Sequence, residues 1–183
     1  MSRRQTRADA RKNYDHLVAV ARDVVTEQGA QASLRDVARR ADMGLGTLYR
    51  HFPTREALLE ALLRASFDEL AVQAAVLETS DSPGEALVSW LRDCVACAHE
   101  YRGVVALMMA AIDDTGSALH ASCAAMRAAG TRLLTRAQAA GMARTDLDGT
   151  DLFALVGALA WLNDQPSSAP RAHHLFDVIA SAI

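Results

Sequence analysis

The sequence predicts an all-α fold of about nine helices, and three observations predict it. Ala, Leu, Arg and Glu are used heavily, while only four of the 183 residues are proline and 5% are aromatic, which favours helix nearly throughout. Apolar residues recur at three- and four-residue spacing, and no stretch alternates apolar with polar as a half-buried strand does. Capping residues and glycines punctuate the chain at helix-length intervals. With 51% hydrophobic and 22% charged residues, the composition is that of a soluble globular chain rather than a disordered one.

A basic arm of Arg3, Arg4, Arg7, Arg11 and Lys12 runs into the first helix, with Thr6 and Asp9 at capping-box spacing. Two readings of the arm stand: it reaches phosphates or a minor groove, or it is a terminus without fixed structure. Leu17, Val20, Ala21, Val24 and Val25 form the apolar stripe of this helix, and Gly29 ends it. Ser33 followed by Asp36 starts a short second helix, on which Leu34, Val37, Ala38 and Ala41 share helical spacing. A tight turn covers Ala41 to Gly44. A third helix runs from Leu45 to Phe52 with Leu48, Tyr49 and Phe52 on one side, and Pro53 closes it. Thr54 caps a fourth helix whose Leu58, Leu59, Leu62, Leu63, Phe67 and Leu70 make a broad apolar stripe. Two short helices joined by a tight turn are the frame that sets the second of them in a DNA major groove.

Residues 79–84 are the clearest boundary, where Ser82, Pro83 and Glu85 supply N-cap, first-turn proline and capping-box acid. The helix that follows carries Leu87, Trp90, Leu91, Cys94, Val95 and Ala98 and is expected to stop at Gly103. An apolar helix then reaches Ile112, a loop spans 113–116, and a long helix runs from Ser117 to about Ala140, ended by Gly141. In TDLDGTD the residues Asp146, Asp148 and Asp151 lack the spacing and the last-position Glu of an EF-hand, so the segment reads as a turn and N-cap. The helix LFALVGALAWL is apolar nearly all the way round, which predicts burial on more than one side. A last helix from Arg171 to Ile183 puts Leu175, Phe176, Ile179 and Ile183 on one face. Two apolar terminal helices point to self-association through residues 150–183.

Net charge is −3, but the sum hides an asymmetry. Residues 1–56 hold 11 basic and 7 acidic side chains, net +4, and residues 57–183 hold 8 and 15, net −7. A basic head on an acidic body is the footprint of one end facing phosphates. Solvated arginine-rich helices would give the same counts, and the helix-turn-helix frame decides between them. The apolar runs Gly103 to Ile112 and Leu152 to Leu162 fall short of the roughly 18 to 20 residues that span a bilayer, and no signal-peptide core follows the N-terminal charges. A cytoplasmic protein without a membrane partner is expected.

The segment GTLYRHFPTREALL, preceded by LRDVARRA, resembles the DNA-binding domain of TetR-family transcriptional regulators, over about Asp15 to Leu63. Two positions depart from the family pattern: Asp42 stands where Gly is usual, and Gly44 where a capping Ser or Thr is usual. Asp tolerates left-handed backbone and Gly is an acceptable N-cap. The resemblance implies a DNA-binding transcriptional regulator, a ligand-responsive repressor and not an enzyme. It assigns 1–53 to a helix-turn-helix DNA-binding domain and 54–183 to a helical regulatory and dimerisation domain. It further implies a homodimer through the last two helices, an inverted-repeat operator in double-stranded DNA, a small-molecule effector, and no cofactor. Carried over residue by residue, Ser33, Thr47, Tyr49, His51 and Arg55 position the duplex through phosphates. Arg35, Leu45, Thr47 and Arg50, with Gly46 among them, face the base edges, Arg suiting guanine and the methyls of Leu and Thr suiting thymine. Tyr49 has a competing reading as a packing residue.

Trp90, Met108, Met109, Met126, Trp161 and Asn163 are candidates for a mostly apolar pocket with a few polar handles, although each also suits plain core. Cys94 and Cys97 are spaced i, i+3, as are His120 and Cys123, so four soft ligands on two helices could hold zinc, and the first pair could act as a redox switch. Helical CxxC is not the usual zinc knuckle and cysteine is a common small core residue, which makes core packing the default, with no metal expected. A zinc- or thiol-sensing regulator on the same fold is thus one alternative. A small helical enzyme is the other, without any Ser/His/Asp or Cys/His grouping that spacing places on one face.

Overall fold

The computed structural model describes residues 3–183 and, beyond residue 10, every side chain other than those of 30, 102, 106, 107 and 164. The arm residues Arg3, Arg4 and Arg7 and the Thr6/Asp9 box lie outside the described side chains; Arg11 and Lys12 are exposed. Among the described residues there are nine α-helices, two 3₁₀ turns and no strand. The helices are α1 (Arg3–Gln28), α2 (Leu34–Arg40), α3 (Leu45–His51), α4 (Arg55–Leu77), α5 (Pro83–Glu100), α6 (Arg102–Asp113), α7 (Ala118–Ala139), α8 (Gly149–Asp164) and α9 (Ala172–Ala180). None of them is long and apolar enough to cross a membrane.

Local chemistry sets most of the helix ends. Ser33 Oγ accepts from the Asp36 amide at 3.1 Å, and Thr54 Oγ1 accepts from the Ala57 amide at 3.1 Å. Ser117 Oγ takes the His120 amide at 2.9 Å, and Asp148 and Asp151 form a full capping box at the start of α8. Each of these bonds satisfies an amide that has no partner inside its helix. At the other ends, Gly29 and Gly141 adopt φ of +64° and +68°, the left-handed conformation that stops a helix. Replacing Thr54 with Ala is expected to cost about 1 kcal/mol, read as a lower urea midpoint with an unchanged slope.

Two boundaries differ from the sequence expectation. Ser82 makes no side-chain cap on α5; its amide instead donates to Ser80 Oγ at 3.2 Å, because the 79–82 loop folds back on itself before Pro83 starts the helix. The helix also ends at Glu100, not Gly103: Tyr101 is buried at 2% exposure, and the chain turns there directly into α6. The last helix is shorter than expected, since Pro170 sits in a 3₁₀ turn over Ala169–Arg171 and the chain leaves helix after Ala180.

In the head, α1 buries Leu17, Ala21, Val24 and Val25 against Val37 and Ala38 of α2, Leu48 of α3 and Leu58, Leu59, Leu62 and Leu63 of α4. Burying one such leucine contributes about 2 kcal/mol, so this cluster outweighs the exposed pairs Arg22–Glu69 and Arg40–Glu27 that clip its rim. At 23 residues α4 is about 35 Å long and leaves the head to become the centre of the body, packing most extensively on α7 and also on α5. Trp90 of α5 is fully buried there, donating from Nε1 to the Leu70 carbonyl at 2.9 Å. α8 covers α5 and α7, and α9 lies on α8. Only one side of α8 is buried within the chain, through Leu152, Val156, Leu159 and Ala160. Ala154, Gly157, Ala158 and Trp161 form an exposed stripe on the other.

Candidate nucleic-acid interface

The frame of the head depends on the turn between α2 and α3. Asp42 takes φ of +51°, the only positive φ at a non-glycine among the described residues, and so occupies the place where glycine would be unstrained. The Met43 amide donates to the Ala38 carbonyl at 2.9 Å and closes the turn. Gly44 begins α3 without a side-chain cap, leaving only its carbonyl, which accepts from Thr47 and Leu48 amides. His16 Nε2 lies 3.3 Å from the Ala41 carbonyl and supports the turn from α1. Tyr14 stacks on Phe52 at 5.1 Å and meets His51 edge-on at 6.3 Å. Sequence reading missed Tyr14 and His16; the signal was that Tyr14, Leu17 and Ala21 share one face of α1.

With Leu48 and Phe52 pointing into the core, α3 must turn Gly46, Tyr49 and Arg50 outward, and all three are exposed. Arg35 of α2 is exposed with them, while Ser33, Leu45 and Thr47 are half-buried at the edge of the same surface. Tyr49 is 47% exposed, so its ring is not a core group. The arginines divide into two sets. Arg39 pairs with Asp36 at 3.1 Å, and Arg40 makes two bonds of 2.7 Å to Glu27, whose carboxyl is held below its ordinary pKa by that contact. Among the described residues Arg35 and Arg50 have no such partner. Among the described residues of α2 and α3 they are the guanidinium groups left available to an external acceptor. Arg55 is half-buried, and its Nε donates to the Ala32 carbonyl at 3.2 Å, tying α4 to the segment before α2. His51 is half-buried against the Tyr14 and Phe52 rings.

The body contains a cavity of about 180 Å³ between α4, α5, α6, α7 and α8. Of the residues singled out as pocket candidates, Met109 and Met126 line it. Trp90 and Met108 are core residues that do not, and Trp161 is turned outward at 61% exposure. Asn163 lines a smaller space of about 120 Å³ beside Arg92 and Phe176. Cys94, Cys97 and Cys123 all line the larger cavity, a convergence that spacing along the chain did not show. Burial pushes the thiol pKa of Cys94 and Cys123 up, and that of Cys97 to about 12, so all three are protonated and weakly nucleophilic at neutral pH. His120 lies away from them in its bonding, Nδ1 standing 2.7 Å from the Ile112 carbonyl. Among the described residues no group of three or more His, Cys, Asp or Glu is placed to hold a metal ion.

This architecture can be compared with known proteins. Residues 82–182, more than half of the chain, match a family model described as the C-terminal domain of SbtR-like transcriptional regulators, and residues 17–62 match that of bacterial regulatory proteins of the tetR family. The chain belongs to the TetR family of transcriptional regulators. Among solved TetR structures, a transcriptional regulator from Streptomyces coelicolor is 35% identical, with a TM-score of 0.73 over 91% of this chain and 95% of that one. A TetR regulatory protein from Mycobacterium vanbaalenii is 32% identical, with a TM-score of 0.70 over 96% of both chains. The HTH-type transcriptional repressor KstR2 of Mycolicibacterium smegmatis is 32% identical over 94 residues, covering 50% of this chain and 46% of that protein. This TetR chain thus matches less than half the length of the curated relatives found. The matched head spans the α2–α3 frame with Arg35, Tyr49 and Arg50, and the matched body spans α5 to α9.

Proposed function

We propose that this TetR-family regulator is a ligand-responsive repressor that acts in the cytoplasm and binds an inverted-repeat operator as a homodimer. The observation that carries the reading is the division of arginines on the head: Arg39 and Arg40 are consumed by internal pairs, while Arg35 and Arg50 stand exposed beside Tyr49 on the α2–α3 surface. On this reading residues 1–53 contact DNA and residues 54–183 regulate and dimerise. Arg35 and Arg50, with Leu45 and Thr47, read base edges, and Ser33, Tyr49 and His51 set the register on phosphates. Arg55 acts from behind, holding the Ala32 carbonyl.

The second copy covers the stripe of Ala154, Gly157, Ala158 and Trp161 on α8, a surface too apolar to be left in water and flanked by Val178 of α9 at 50% exposure. Such a dimer sets two α3 helices about 34 Å apart, on one face of the duplex. A molecule in the body cavity changes that separation through α4, which is continuous from the head to the cavity wall at Phe67 and Leu70. To release DNA a thousandfold, it must favour the non-binding conformation by about 4 kcal/mol, shared between two sites.

Changing Trp161 to Glu tests the assembly. A buried tryptophan anchor is worth at least about 2 kcal/mol, so dimer dissociation should rise by roughly 30-fold or more in light scattering, and affinity for a two-half-site duplex should fall with it. A variant that stays dimeric, or a monomer that binds the full site as tightly as the parent, contradicts the reading.

A further inference from the structure

We infer that the body cavity takes a small monoanion with an apolar body of about one ring, its carboxylate held by Arg127; this rests on the reading of that domain as effector-binding. Size sets the first limit. The space is about 180 Å³, and an engineered apolar cavity of roughly 150 Å³ takes up benzene, so one ring fits and a long acyl chain or fused ring system does not unless the walls move.

The walls set the second limit. Phe67, Leu70, Val105, Ile112 and Met126 are apolar, and the three thiols among them are uncharged. Among the described residues no carboxylate lines the cavity, and Arg127 of α7 is the one charged residue that does. A cationic ligand would meet like charge, and a polyol would strand its hydroxyls against hydrocarbon. An anionic group on an apolar body satisfies both the guanidinium and the walls.

Arg127 is placed where such a group would sit. Its guanidinium lies over the Phe153 ring, 5.6 Å from the centroid, and both residues line the cavity and also an open recess on the outside of α7 and α8. The pair therefore stands where the partly open cavity meets the outer recess. Arg22, Arg92, Arg132 and Arg144 each have a carboxylate partner, whereas among the described residues Arg127 has none. Its planar fork matches a carboxylate with two parallel bonds.

Titration calorimetry of the full chain with benzoate, benzamide and benzylammonium tests this. Benzoate should bind at least about tenfold more tightly than benzamide, the lower bound for a charge-assisted bidentate contact, and benzylammonium should give no heat. Arg127→Gln should abolish the preference while leaving benzamide binding and the unfolding midpoint in place, since Arg127 is exposed; Arg127→Lys should keep part of it. Equal affinity for benzoate and benzamide, a preference that survives Arg127→Gln, or no uptake of benzoate by protein that binds a selected DNA duplex overturns the proposal. Benzoate bound with the expected preference but without effect on that duplex leaves the ligand class standing and overturns the effector reading instead.

Discussion

Alanine in place of either Arg35 or Arg50 should lower operator affinity by roughly 30-fold to 10⁴-fold while leaving thermal stability unchanged. The range follows from about 1–3 kcal/mol for each Arg–base contact, counted twice because a dimer carries two heads. Stability should hold because both side chains are exposed and neither has an ion-pair partner among the described residues. Arg39 and Arg40 supply the control on the same surface. Their charges are already engaged by Asp36 and Glu27, so their alanine variants should shift affinity far less. Fluorescence anisotropy at one fixed salt concentration decides the matter, since phosphate contacts make affinities at different salt incomparable. Equal losses at all four positions would mean that the head is read by net charge alone and that Arg35 and Arg50 have no special role.

The largest effect on folding should come from Trp90. Its ring is fully buried, packs edge-on against Phe153 at 6.0 Å and lies so close over Gly130 that a Cβ there would collide with it. Trp90→Ala should cost about 3–5 kcal/mol, the usual range for emptying a large aromatic site, and lower the unfolding midpoint by about 10 °C in a chain of this size. Gly130→Ala alone should cost about 1–3 kcal/mol by overpacking. In the Trp90→Ala background the same change should be neutral or stabilising, because the added methyl then enters vacated space. Additive losses in that cycle, measured by urea unfolding, would show that the two residues do not share one packing site.

The elements that the sequence discloses are those decided within a few residues of chain. Ser33, Thr54, Ser117 and Asp148 cap helices through their own near neighbours, and Gly29 and Gly141 end helices by backbone freedom alone, so each is legible without knowing the fold. Ser82 shows the limit: two serines of the 79–82 loop could each serve, and the path of the loop chooses. The direction of Arg35 and Arg50 follows from the apolar register of α2 and α3, but helical spacing groups Tyr49 with Leu48 and Phe52, and only the packing shows that it turns outward at 47% exposure. The tie between Arg55 and Ala32 joins elements 23 residues apart and has no local signature.

The body was less legible for a physical reason. A helix apolar on every side, as α8 is, does not say which side meets its own chain, and so periodicity alone does not separate Trp161, which faces outward, from Trp90, which fills the core. The three cysteines share a cavity because α5 and α7 are rotated toward one another, a property of packing rather than of spacing. Arg127 gave no sequence signal: an arginine among alanines on a long helix reads as a solvated face until Phe153 and the cavity are set beside it.

Selection of bound duplexes from a random DNA library by the purified chain tests the central claim most directly. The predicted result is enrichment of an inverted repeat whose half-sites lie about one helical turn apart, with the enriched affinity lost in Arg35→Ala and Arg50→Ala. Enrichment of no sequence, or equal affinity for every duplex at moderate salt, would contradict a sequence-reading role for the α2–α3 surface.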